Sequence, residues 1–113
     1  GWYLMYDISA EAIVELIKER LGISAAEEFP AEINPPYCLV LTPAARIEAA
    51  DMGRIFSREQ TYRIELYTRY KKDPLRDELQ DLIYSEIPAG EFNEEEGLSD
   101  IGRLYLTAIE FSI

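Results

Sequence analysis

An α+β fold, with two helices on one face of a mainly antiparallel sheet and a projecting β-hairpin arm, is the architecture this sequence predicts. Apolar residues recur at helical spacing in two segments, at Ile13, Leu16, Ile17 and Leu21 and at Leu75, Leu79, Leu82, Ile83 and Ile87. Three other segments carry strand patterns, "YCLVL", "TYRIELYTRY" and "RLYLTAIEFSI". The resulting order is helix, strand, hairpin, strand, helix, strand, and two striped helices bury both stripes against one sheet face.

The first helix runs from Ser9 or Ala10 to Leu21, with Ser9 as N-cap and Glu11 favourably placed in the first turn. Gly22 supplies a left-handed cap, and Ile23 is the hydrophobe that packs back on it. An irregular connection follows. Pro35 and Pro36 forbid a helix, so the next element is a strand from about Tyr37 to Thr42, which Pro43 either ends or makes an edge. Over residues 44–60, the turn "DMG" between "RIEAA" and "RIF" predicts a two-stranded projecting arm, with a short helix over 44–50 as its competitor. In "TYRIELYTRY", Tyr62, Ile64, Leu66 and Thr68 alternate with Arg63, Glu65, Tyr67 and Arg69, giving one buried and one polar face. Asp73 and Pro74 open the second helix, and Pro88 and Gly90 end it. Residues 86–100 read as an acidic loop. The last strand, Arg103 to Ile113, has Tyr105, Ile109 and Phe111 on one face and Leu104, Leu106 and Ala108 on the other, which predicts a central strand or an outer face covered by a partner.

At 113 residues the chain fits one domain, 1–113. Its 48% hydrophobic and 29% charged residues suit a soluble globular protein. No apolar run approaches a membrane span, which places the protein in the cytoplasm or in an assembly built there. The single cysteine, Cys38, lies in an apolar run and reads as core packing. There is no histidine, so the commonest general base and zinc ligand is missing. The acidic run "NEEEGLSD" lacks the alternating acids and following glycine of a calcium loop, and no Gly-rich phosphate loop or nucleophile motif is present. The expectation is a protein that is not an enzyme and takes neither cofactor nor metal.

The net charge of −11 is unevenly spread. Arg46 to Arg76 holds eight of the eleven basic residues against five acids, a local balance of +3, and the remainder carries −14. An acidic molecule is repelled by phosphate backbones, so nucleic-acid binding is not expected, although Tyr67 and Tyr70 with Arg63 and Arg69 form a set able to stack on bases. Cross-strand pairs or a protein interface account equally well for those four. A dipolar surface suits copies of one chain docking head to tail, and it also suits a monomer kept soluble by charge.

The segments "ISAEAIVELIKERLGI", "NPPYCLVL", "YRIELYTRYKKDPLRDELQDLI" and "GRLYLTAIEFSI" together resemble the tail terminator (tail completion) proteins of long-tailed phages and prophages. The resemblance covers most of the chain and is carried by element order and by an "ELYT" strand feeding a "D-P-L" helix. It implies a homo-oligomeric ring, usually of six copies, that caps the head-proximal end of the tail tube in the virion. Such a ring stops tube polymerisation and joins the tube to the head-completion protein, after assembly in the host cytoplasm. An acidic channel lining then lets DNA pass without sticking. Charge and pattern, rather than any family motif, assign Glu91, Glu94, Glu95 and Glu96 to lumen or tube contact. They assign Arg46, Arg54, Ile55, Phe56, Arg58, Arg63, Tyr67 and Arg69 to the subunit interface. Other head-tail connector proteins share this size and composition, and a small dimeric cytoplasmic binding or regulatory module is the alternative from a different class.

Overall fold

Backbone capping holds each helix where the sequence places it. The computed structural model describes residues 8–43 and 60–113. The expected arm therefore lies outside the described residues, apart from Gln60. Helix α1 (Ala10–Leu21) starts at an extended Ser9 whose hydroxyl accepts the Ala12 amide at 3.1 Å. It stops at Gly22, whose φ of 67° is open to glycine at little steric cost. Ile23 packs against the core beside it. Helix α2 (Leu75–Glu86) begins one residue after the expected Pro74, and Asp73 caps it by accepting the Leu75 amide at 2.9 Å.

Five strands form one sheet in the order β1 (Ser24–Ala26), β2 (Tyr37–Leu41), β3 (Thr61–Thr68), β5 (Tyr105–Ser112) and β4 (Phe92–Leu98). The pairs β2 with β3, β3 with β5 and β4 with β5 are antiparallel, and β1 with β2 is parallel. The sheet is thus mainly antiparallel, with both helices on one face. β5 is flanked on both sides, as its two apolar faces predict.

Two elements differ from expectation. The segment expected as an acidic loop contains β4, an edge strand paired along its whole length with β5. Glutamate is a poor strand former in general, but side-chain partners and position decide strand formation more than intrinsic preference does. The connection after α1 likewise contains β1, three residues long and too short to leave an alternation in the sequence.

Register places Tyr62, Ile64 and Leu66 of β3 on the helix face beside Phe111 and Ile109 of β5 and Cys38 and Val40 of β2. Ile13 and Ile17 of α1 and Leu79 and Ile83 of α2 close this core, each at most 1% exposed. Each such aliphatic side chain stabilises the fold by roughly 1.5–3 kcal/mol through burial. Tyr84, Phe92, Phe111 and Tyr62 extend the core toward β4 as a chain of ring contacts, with centroids 4.7, 5.6 and 5.6 Å apart. On the other sheet face, Leu39, Tyr67 and Leu104 form a second apolar cluster, with Ile33 packing on it. The polar face expected for β3 is therefore a mixed one, in which Glu65 and Tyr67 are buried at 7% and 3% exposure.

Candidate functional site

Among the described residues, the densest set of charged side chains lies around β4, and it is built from both sheet faces. Successive β4 side chains point to opposite sides. Glu94 and Glu96 face α2, whereas Glu95 shares the opposite face with Arg63, Glu65 and Glu110. On the helix side, Arg76 pairs with Glu96, while Gln80 and Tyr84 donate to the two carboxylate oxygens of Glu94. On the far side, the Arg63 guanidinium reaches three carboxylates, Glu65 at 2.7 Å, Glu95 at 2.9 Å and Glu110 at 3.5 Å. The acidic edge strand is clamped on both faces.

Glu65 is the anchor of the far-side network. Its second oxygen accepts the Tyr67 hydroxyl at 2.9 Å, so a buried carboxylate has both oxygens engaged. The hydrogen bond to Glu65 pushes the Arg63 guanidinium further up from its already high value. Burial and then the same carboxylate raise the Tyr67 phenol. On the helix side, the hydrogen bond to Glu94 and then burial push the Tyr84 phenol up to about 12. The Cys38 thiol is pushed well up by burial and secondarily by the Glu65 charge, which keeps it protonated and unreactive.

The residues singled out from sequence are dispersed by the fold. Arg46, Arg54, Ile55, Phe56 and Arg58 lie outside the described residues. Arg63 and Tyr67 are committed to the internal network, and Tyr67 stands opposite Tyr37 as a cross-strand pair. Arg69 and Tyr70 are exposed, Tyr70 at 70%. Glu94, Glu95 and Glu96 are solvent-exposed yet tied to partners, and Glu91 is exposed just before β4. Sequence reasoning missed Arg76, Gln80 and Tyr84. Their spacing of four residues on a helix, facing glutamates spaced by two on a strand, was the available signal.

Two hollows are open at the surface, one beside the second apolar cluster and one at the α2 side of β4. A groove of about 560 Å³ is lined by Phe29, Ile33, Arg69, Ile101 and Leu104 among others. A hollow of about 430 Å³ lies beside Lys71, Arg76, Glu96, Leu98 and Tyr105. Among the described residues, no three metal-ligating side chains of His, Cys, Asp or Glu converge, and no helix is long and apolar enough to cross a membrane. Compared with known proteins, the chain matches no protein-family model and no curated protein.

Proposed function

We propose that this protein is a structural subunit of a phage or prophage tail, a terminator that closes into a ring, of six copies by the resemblance. The ring caps the head-proximal end of the tail tube, ends its polymerisation and carries the junction to the head-completion protein. The observation that supports this reading most directly is that the segments carrying the resemblance coincide with the framework of the fold. "ISAEAIVELIKERLGI" supplies α1 and its caps, "NPPYCLVL" leads into β2, "YRIELYTRYKKDPLRDELQDLI" spans β3 and α2, and "GRLYLTAIEFSI" supplies the central strand β5. The exposed acidic edge around Glu91, Glu94, Glu95 and Glu96 suits a surface past which DNA must slide, because like charge disfavours adhesion to phosphates. The exposed Arg69 and the basic residues of 44–60 are the subunit contacts in this reading, whereas Arg63 and Tyr67 serve it indirectly by holding the sheet.

Native mass spectrometry across a wide protein concentration range and at low and high salt tests the proposal. A hexameric ring that loosens as salt rises is the expected result, since complementary exposed charges weaken with screening. A two-fold dimer stable at every concentration would sink the terminator reading and favour a small cytoplasmic binding module.

A further inference from the structure

The outer edge of β4 is a row of backbone groups whose direction follows from the ladder pattern. Gln60 and Ile113 exchange both amide bonds, at 3.0 and 3.1 Å, so they form a hydrogen-bonded pair at the end of the β3–β5 ladder. Antiparallel ladders alternate hydrogen-bonded with non-hydrogen-bonded pairs. Residues 105, 107, 109 and 111 of β5 therefore bond to β3, and residues 106, 108 and 110 bond to β4. On β4, Asn93, Glu95 and Gly97 bond inward, and the Ser99 amide, 2.8 Å from the Leu104 carbonyl, continues the same phase. The N–H and C=O groups of Phe92, Glu94, Glu96 and Leu98 point away from the sheet, and among the described residues no strand pairs with them.

We infer that this edge takes an extended, lysine- or arginine-bearing segment of a partner protein as a sixth strand. An unpaired edge seven residues long is a template for strand addition. Charge selects the occupant. Among the described residues, six carboxylates, Glu65, Glu91, Glu94, Glu95, Glu96 and Glu110, stand within and beside β4 against three cations, Arg63, Arg76 and Lys71. A second copy of β4 is disfavoured as the occupant. Antiparallel pairing centred on the strand sets Glu94 opposite Glu96 and Glu95 opposite its own copy, and like charges directly opposite destabilise a pair. A cationic strand meets opposite charge along the same row. The clamps from Arg63, Arg76, Gln80 and Tyr84 hold the template in shape before binding, which lowers the ordering cost. Leu98, 65% exposed at the end of the strand, adds an apolar contact. The inference does not rest on the ring reading, and the two assign this edge different neighbours, a partner strand here and passing DNA there, so failure of one leaves the other standing.

The test is a titration followed by NMR amide exchange. The probe is a seven-residue, end-blocked peptide alternating lysine and valine, with an otherwise identical peptide alternating glutamate and valine as control. In the free chain, the Phe92, Glu94, Glu96 and Leu98 amides are expected to exchange rapidly and those of Asn93, Glu95 and Gly97 slowly. At a tenfold excess of lysine peptide over its Kd, the four outward amides slow about tenfold. Leu98→Pro removes one outward donor without breaking a ladder bond, because proline is tolerated where the N–H faces solvent. It should weaken binding about 3- to 10-fold. N-methylating the peptide at alternate residues removes its donors without altering the protein, and abolishes binding in one of the two phases only. Any of four results overturns the inference: outward amides already slow in the free chain, equal binding of the glutamate peptide, shifts that map away from β4, or self-association through β4 in place of peptide binding.

Discussion

Replacing Arg63 by methionine isolates the buried carboxylate of Glu65 and converts the network into a measurable energy. Glu65 is 7% exposed in the middle of the sheet, and among the described residues Arg63 is its cationic hydrogen-bond partner, at 2.7 Å. Removing one member of a buried ion pair costs roughly 3–5 kcal/mol, chiefly because the remaining charge stays desolvated. Tyr67 continues to donate at 2.9 Å, and the Arg63 side chain is itself 24% exposed, so the expected cost is the lower end, about 3 kcal/mol. At about 2.1 cal/mol/K per residue, a 113-residue chain unfolds with an entropy near 240 cal/mol/K, so this corresponds to a Tm drop of about 12 °C. The double variant Arg63→Met with Glu65→Leu leaves no buried charge and should recover most of the loss. Urea unfolding followed by circular dichroism measures all three proteins. A loss below about 1 kcal/mol for Arg63→Met, within the range of an exposed pair, would refute the reasoning, because Glu65 would then be reaching water. A double variant no more stable than the single would refute it equally.

Ile64→Ala removes a fully buried side chain between the helices and the sheet, and should cost about 2–5 kcal/mol in the same urea assay. Gly22→Ala places a side chain at φ 67°, so it should cost about 1 kcal/mol with the α1 contacts otherwise unchanged. Tyr84 donates to Glu94 and its phenol is pushed up to about 12, above its unfolded value near 10. Its contribution is present below pH ~10 and is lost as pH rises through 12, so Tyr84→Phe should flatten the alkaline fall in stability over that window. Cys38 should resist an aromatic disulfide reagent in the folded protein and react promptly in denaturant; rapid reaction under native conditions would contradict its burial.

Local chemistry in the sequence determined the helices and the inner strands. Ser9 and Gly22 bracket α1, and the Asp73–Pro74 start and the five-residue stripe define α2. Period-two alternation marks β3, and apolar residues on both faces mark β5 as central. Each of these signals lies within a single segment, because caps and periodicity act over a few residues. Tertiary structure alone decided β4. Three successive glutamates have no strand signal of their own, and they become an edge strand because β5 supplies the ladder while Arg63, Arg76, Gln80 and Tyr84 supply partners between 10 and 32 positions away. The same holds for Glu65 and Tyr67. Alternation assigned them to the polar face, and their burial arises because Leu39, Leu104 and Ile33, brought in from other segments, cover that face. Charge and pattern assign residues to a subunit contact or a lumen, but neither states which group a side chain meets in the fold. The fold committed Arg63 and Glu95 to each other, since two opposite charges on neighbouring strands of one face pair whenever the register brings them within reach.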